Sequence, residues 1–144
     1  MTEIYQKIVI ATDGSEKNLS AVIEGMMIAR VSGAKLQIVY VIDTKPLYTG
    51  VIEESYAGMY DSLREEGELA LEQAKELAGD IDVETSLLTG KPATEITRFV
   101  KEYGADLLVI GTQGKSGLGK FILGSVAESI IRTAPCSVLV VRKS

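Results

Sequence analysis

The sequence predicts an α/β fold, an open five-stranded parallel sheet with helices on both faces. Three observations predict it. Short β-branched runs alternate with amphipathic stretches along the chain in the order βαβαβαβαβ. Most of these runs are almost continuously apolar, which is typical of parallel strands covered on both faces. At 144 residues and 46% hydrophobic content, the chain is long enough to bury one proper core, so we expect a single domain over residues 1–144.

The predicted strands are short runs of aliphatic and β-branched residues. They are Lys7–Ala11, Leu36–Ile42, Val83–Leu88, Asp106–Ile110 and Ser137–Val141. Right-handed crossovers through the intervening helices keep such strands parallel. If their order in the sheet is 3-2-1-4-5, the valine-rich fifth strand is an exposed edge, and such an edge invites pairing with another chain.

Apolar residues recur every three or four positions between the strands, which predicts four helices. They are Asn18–Val31, Tyr56–Ala78, Pro92–Tyr103 and Ser125–Arg132. Pro92 stands where the first turn of a helix tolerates proline. The stretch Asp43–Ser55 contains Pro46, Gly50 and several acidic residues, and it predicts a loop. Because a dozen or so residues exceed the usual two to six, both a lid or contact arm and a plain surface loop stay open.

Missing residue types exclude much of ordinary enzymology. The chain has no His, which excludes His-ligated zinc, proton transfer by His, and Ser–His or Cys–His triads. Its single cysteine, Cys136, cannot form an internal disulfide, and we interpret it as a small buried hydrophobe. The net charge of −5 disfavours nucleic acid and anionic membranes as partners. Because no signal peptide or membrane-spanning run is evident, we expect a cytoplasmic protein.

The segment after the fourth strand is the strongest candidate for a binding loop. In an open parallel sheet, ligands bind beyond the carboxyl ends of the strands, where the strand order reverses. Five of the chain's 14 glycines lie within residues 111–125, whereas a turn that only joins strand to helix needs one or two. Glycine lets backbone N–H groups approach an anion, and the following helix N-terminus adds unpaired donors. Lys115 and Lys120 add positive charge, and Ser125 can donate to a phosphate or cap the helix.

Three familiar phosphate-handling motifs fail on inspection. The Walker pattern requires a glycine five residues before Gly114, where the chain has Val109. The dinucleotide pattern, started at Gly117, would need its third glycine where the chain has isoleucine. An aspartate-phosphatase motif ending at Asp13 would need a nucleophilic carboxylate two residues earlier, and that residue is Ala11. The loop is therefore neither a P-loop nor a dinucleotide fingerprint.

The spacing G-x2-G-x9-G-S, formed by Gly111, Gly114, Gly124 and Ser125, resembles the signature of the ATP-binding branch of the universal stress protein family. Residues 11–15 (ATDGS), 123–126 (LGSV) and 134–141 (APCSVLVV) are similar to that family as well, and the resemblance covers essentially the whole chain. It implies a Rossmann-like fold of the adenine nucleotide alpha hydrolase type. It also implies an ATP site, with or without Mg²⁺, and a homodimer formed through the last strand, residues 137–141.

The site residues implied by this resemblance follow the carboxyl ends of the first, second and fourth strands. They are Ala11, Thr12, Asp13, Val41, Gly111, Gln113, Gly114, Gly124, Ser125 and Val126. Asp13 is implied to hydrogen-bond the ribose region and could help to hold Mg²⁺, and the backbone of Val41 is implied to read the adenine edge. No catalytic base is evident among these motifs. We therefore favour an ATP-binding regulatory module read by a protein partner, while a slow Mg-dependent ATP hydrolase and a nucleotide-free dimeric scaffold stay open.

Overall fold

Five parallel strands form one sheet in the order β3-β2-β1-β4-β5. The computed structural model describes residues 4–45, 53–112 and 123–142 of the chain. The strands are β1 Lys7–Ala11, β2 Lys35–Asp43, β3 Val83–Gly90, β4 Leu107–Gly111 and β5 Ser137–Val141. The α/β fold and the strand order 3-2-1-4-5 that the sequence predicts are therefore confirmed.

The helices with described bounds connect these strands as crossovers. They are α1 Leu19–Ser32, α2 Glu53–Ala78, α3 Pro92–Tyr103 and α4 Ser125–Thr133. A short 3-10 turn, Glu16–Asn18, leads into α1. Helix α1 approaches β1 so closely that a Cβ added at Gly25 would lie 2.6 Å from the side chain of Ile10. Glycine at this position therefore lets the helix lie close against the sheet.

Each face of the sheet buries its own apolar cluster, because successive strand residues point to opposite faces. Helices α1 and α2 cover one face, where Ile10 packs with Met26 and Leu71. Helices α3 and α4 cover the other face, where Val9 packs with Ile130. Complete burial of one such side chain contributes roughly 1.5–3 kcal/mol. The two clusters together hold the carboxyl ends of the strands in a fixed arrangement.

The loop predicted over Asp43–Ser55 is wrong at both of its ends. Asp43 is the last residue of β2, where it pairs with Gly90 of β3, and α2 already begins at Glu53. Glutamate is a good helix former, so the acidic composition of this stretch did not distinguish a loop from the start of a helix. Residues 46–52 lie outside the described part of the chain.

Strand β5 is the last strand of the described sheet, next to β4. Its residues Val138, Leu139 and Val140 are half-buried, and the strand has the edge position that the sequence predicts. No helix within the described ranges is both long enough and apolar enough to cross a membrane.

Candidate functional site

A cleft of about 440 Å³ opens at the carboxyl end of the sheet. It is lined by the ends of β1, β2 and β4, by the segments that follow them, and by the first turn of α4. Strand β1 has β2 on one side and β4 on the other. The chain therefore adds β2 and β3 on one side of β1 and then crosses over to add β4 and β5 on the other side. The cleft therefore lies where an open parallel sheet is expected to bind a ligand.

The cleft gathers every predicted site residue that the structure describes. These are Ala11, Thr12, Asp13, Val41, Gly111, Gly124, Ser125 and Val126. The other two predicted residues, Gln113 and Gly114, lie outside the described residues, as do Lys115 and Lys120. The structure thus brings together segments that are more than 100 residues apart in the sequence.

The turn after β1 holds Asp13 in one orientation. The N–H of Thr12 donates to the carbonyl of Val39 at 2.9 Å, which ties the start of the turn to β2. The N–H and the hydroxyl of Ser15 both donate to Oδ1 of Asp13, at 2.9 and 2.6 Å. The second carboxylate oxygen, Oδ2, is buried and has no hydrogen-bond partner. A buried acceptor of this kind is costly to leave unpaired, which makes Asp13 a candidate ligand contact.

Asn18 is a cleft residue that the sequence did not identify. Its backbone N–H donates to the carbonyl of Ser15 at 3.1 Å, so it belongs to the same turn as Asp13. The residue is only 6% exposed, it lines the cleft, and its Oδ1 atom has no hydrogen-bond partner. Among the described residues, this oxygen and Asp13 Oδ2 are the buried side-chain polar atoms that lack a partner.

The N-terminus of α4 forms one wall of the cleft. Gly124 caps this helix without a side-chain hydrogen bond, and Ser125 and Val126 follow it in the cleft lining. The N–H of Gly124 donates to the carbonyl of Thr112 at 2.7 Å, which fixes the entry of the helix against the end of β4. The first N–H groups of a helix have no intrahelical partner and carry a partial positive charge. This wall can therefore bind an anion.

Two helices add apolar residues to the cleft lining. Leu63 comes from α2, and Pro92 and Ile96 come from the start of α3, which follows β3. Asp13 and Asp43 are the only charged residues in the described lining, so no Lys or Arg among the described residues reaches the cleft. The described cleft thus combines apolar residues, two carboxylates and a helix N-terminus.

The sequence did not identify several residues of the cleft lining, and the topology of the sheet explains most of them. Pro92 and Ile96 were interpreted only as parts of an amphipathic helix, although α3 begins at the same edge of the sheet as the predicted loops. The position of α3 at that edge could therefore have predicted that Pro92 and Ile96 line the site. Asn18 had no comparable signal, because what distinguishes it is burial without a partner, and burial depends on the folded chain.

A second, shallower cavity of about 420 Å³ lies between α3 and the end of α4. It is lined by Thr94, Thr97, Arg98, Lys101, Thr133 and Pro135. Three of its polar side chains already have partners. Arg98 pairs with Glu95 at 2.8 Å, and the hydroxyls of Thr97 and Thr133 donate to backbone carbonyls of their own helices. It is therefore the weaker candidate, despite its similar volume.

Cys136 stands just before β5 and does not line the cleft. The residue is half-buried, so it is more exposed than the small buried hydrophobe that the sequence predicted. Burial raises the pKa of its thiol, and the nearby carboxylate of Asp106 raises it further. Both effects keep the thiol protonated at neutral pH, which opposes a nucleophilic role.

Three comparisons relate this chain to known proteins. The model of the universal stress protein family matches residues 4–142. A universal stress protein of Methanocaldococcus jannaschii is 42% identical over 142 residues, which covers 97% of this chain and 84% of that protein. The structure of universal stress protein UspA from Lactobacillus plantarum superposes with a TM-score of 0.87 at 25% identity, over 96% of this chain and 98% of that one. A universal stress protein crystallised in complex with cAMP has a TM-score of 0.68 at 33% identity, over 97% and 98% of the two chains.

Proposed function

Since the chain belongs to the universal stress protein family, we propose that it binds ATP in the cleft and acts as a dimeric, nucleotide-dependent regulatory or stress-response module. One observation carries the nucleotide proposal. The eight described residues of the predicted site line one cleft, together with Asn18. Asp13 and Asn18 of that lining also carry the buried oxygens without hydrogen-bond partners, so unmet hydrogen bonding marks the same cleft as the glycine motif.

The chemistry of the walls matches the parts of an adenine nucleotide. Phosphates suit the N-terminus of α4, where uncapped N–H groups follow Gly124. A purine ring suits the apolar part of the lining, which includes Leu63, Pro92 and Ile96, because both surfaces are then removed from water. The carboxylates suit hydroxyl or amino donors of the ligand, or a cation bound to its phosphates. A relative at 33% identity crystallised with cAMP supports the same ligand class.

Asp13 is the residue of the described lining best suited to help hold Mg²⁺ beside the phosphates. Its Oδ2 atom is a buried carboxylate oxygen without a partner, and Mg²⁺ prefers carboxylate, phosphate and water oxygens. When bound, the metal would offset the repulsion between the phosphates and the carboxylates of Asp13 and Asp43. The chain's own contribution is then to position the nucleotide and to exclude water from its base.

Binding with slow or no turnover is the activity we propose. Efficient phosphoryl transfer requires a group that positions the attacking water and cationic support for the transition state. The described lining contains the two carboxylates of Asp13 and Asp43 but no Lys, Arg or His. These residues support binding better than hydrolysis.

Isothermal titration with ATP and Mg²⁺, followed by a long incubation assayed for ADP, tests this function. We expect saturable binding in the micromolar range, about −8 kcal/mol, with little ADP formed. GTP is the matched control ligand, since it keeps the sugar and the phosphates and changes only the base. Steady accumulation of ADP over the incubation would favour the slow hydrolase, and the absence of any binding heat would favour a nucleotide-free scaffold.

We also propose that two copies join through β5. The strand is at the edge of the described sheet and its sequence, SVLVV, is strongly β-forming. Antiparallel pairing of β5 with its own copy would satisfy the exposed backbone groups of both edges. Sedimentation equilibrium at micromolar concentration is expected to give twice the 15.5 kDa chain mass, and a monomer would contradict the pairing.

A further inference from the structure

We propose that the outer side of α1, together with the adjoining outer side of α2, docks a basic amphipathic helix of a protein partner. This docking face comprises six exposed apolar residues, Leu19, Ile23, Met27, Val31, Leu69 and Leu77. None of them lines the cleft, so docking there does not depend on nucleotide binding.

Helix α1 carries large apolar side chains on its outer side as well as on its inner side. The inner side packs into the core through Val22 and Met26. On the outer side, apolar residues recur every four positions from Leu19 to Val31, and their exposure rises from 41% to 84%. A helix that is apolar all round is normally covered all round, but the sheet covers only one side of α1. The outer side is therefore suited to being covered by a partner.

Exposed apolar residues on the other face of the sheet are fewer and do not form a row. Helix α3 exposes no large apolar residue, and α4 exposes Val126, which lines the cleft, and Ile131. Single exposed apolar residues are ordinary on a protein surface. Four of them along one helix form a patch of the kind that marks an interaction site.

Helix α2 extends this apolar surface. Arg30 of α1 bonds Asp80, just beyond the end of α2, at 2.9 Å, so the side of α1 that carries Arg30 faces α2. Met27 is three positions before Arg30 and lies on the same side of the helix. On α2, Leu69 and Leu77 are more than half exposed and are eight positions apart, which places them in one row. Two such rows on neighbouring helices form a shallow groove into which a third helix can pack.

The charge of α2 specifies the chemistry of the partner. This helix has eight acidic and two basic residues, so its net charge of −6 exceeds in magnitude the −5 of the whole chain. Glu65 and Glu72 are exposed and lie four positions before and three positions after Leu69, so they adjoin it on the helix surface. A helix seated on the apolar rows therefore meets carboxylates along α2, and Lys or Arg beside its apolar side complements them.

The same charge disfavours the other occupants of an apolar face. Two copies of this chain that met here would bring the acidic residues of both α2 helices into one interface, and like charges across an interface are costly. An anionic membrane surface would be repelled for the same reason. A basic amphipathic helix satisfies both the apolar rows and the carboxylates.

Fluorescence anisotropy with a labelled Leu/Lys peptide tests the docking face. The probe is a synthetic helix about as long as α1, with Leu every third or fourth position on one side and Lys on the other. We expect saturable binding to the full chain, weakened as salt is raised. A Leu/Glu peptide, in which Glu replaces every Lys, should bind roughly ten-fold more weakly. A peptide of the same Leu and Lys content in shuffled order has no apolar side and should bind as weakly.

Variants of the chain locate the binding. The double variant Met27→Gln and Val31→Gln should bind the Leu/Lys peptide roughly ten-fold more weakly, because two apolar contacts are lost. Glu72→Lys should weaken binding and reduce its salt dependence. Ile131→Gln is the matched control, since Ile131 is a half-exposed aliphatic residue of α4 on the other face of the sheet. All three preparations should bind ATP as the unaltered chain does, because none of these residues lines the cleft.

Several results would overturn the docking face without touching the nucleotide site. Absence of Leu/Lys binding, or equal binding of the Leu/Glu or shuffled peptide, would refute a basic amphipathic helix as the occupant. Unchanged peptide affinity in the double variant, or an equal loss in Ile131→Gln, would refute its location. Assembly beyond a dimer in sedimentation, abolished in the double variant, would mean that a second copy covers this face instead. Failure of ATP to bind the unaltered chain, with peptide binding intact, would refute only the proposed function.

Discussion

Replacing Gly124 by valine tests where the phosphates bind. Gly124 is buried, caps α4 and lines the cleft at the point where the uncapped N–H groups of the helix begin. Its backbone angles are φ −64° and ψ 154°, a region that every residue type adopts. The position therefore does not require glycine for conformational reasons, and valine can adopt the same backbone angles.

The magnitudes for Gly124→Val differ strongly between folding and binding. Valine is a poorer N-cap than glycine, which lowers the free energy of unfolding by up to about 1 kcal/mol. Valine also restricts the unfolded chain more than glycine does, which raises the free energy of unfolding by about 0.4–1 kcal/mol. The free energy of unfolding should therefore stay within about 1 kcal/mol, or about 4 °C in Tm. Binding should lose at least two charge-assisted hydrogen bonds from the helix N-terminus, roughly 3–6 kcal/mol. That loss weakens nucleotide binding by more than about 100-fold.

Thermal unfolding and isothermal titration of the same preparation measure both quantities. Gly58→Val is the matched control, because Gly58 lies on α2 with open space around its Cβ position and does not line the cleft. The control should bind ATP normally. If Gly124→Val kept the affinity of the unaltered chain while remaining folded, the phosphates could not lie at the N-terminus of α4.

Three further predictions concern stability. Asn18→Leu should raise the free energy of unfolding without nucleotide by about 1 kcal/mol, since it removes an unpaired buried acceptor; a Tm unchanged or lowered by calorimetry would contradict this. Asp106→Ala should lower the free energy of unfolding, measured by urea denaturation, by about 1 kcal/mol. The reason is that the N–H groups of Gln6 and Lys7 lose carboxylate acceptors at 2.9 and 3.1 Å. Burial, with nearby carboxylates, raises the pKa of Tyr103 above 10.0. The unfolded chain therefore loses the phenol proton at a lower pH than the folded chain does. Stability should therefore fall as pH rises above 10, and the fall should be shallower in Tyr103→Phe.

The sequence predicted the fold in detail wherever side-chain pattern and backbone structure coincide. The bounds of β1, β5 and α3 agree with the structure, because continuous β-branched runs mark the strands and Pro92 marks the helix start. Strand β3 extends two residues past its predicted end, to Gly90. The extension depends on backbone pairing with Ile42 and Asp43 of β2, which leaves no trace in the side-chain pattern.

The candidate site was predictable to the extent that topology determines it. Parallel strands present their carboxyl ends at one edge, so the segments after β1 and β4 had to meet, and Asp13 and Gly124 do line one cleft. The contribution of α3 follows from the same rule applied to the segment after β3. Asn18 does not follow from any rule of spacing, since an asparagine before a helix is ordinarily a cap or a turn residue.

The pattern of unmet hydrogen bonds separates a binding cleft from an accidental one. Elsewhere in the described chain, buried polar side chains find partners, as Gln37 does with Ser86. A fold that satisfies its buried groups but leaves Asp13 Oδ2 and Asn18 Oδ1 unpaired carries a cost of about 1–3 kcal/mol for each atom. Such costs persist where function maintains them. Because both atoms belong to residues of the cleft that the glycine motif had independently predicted, a bound ligand explains them better than imperfect packing does.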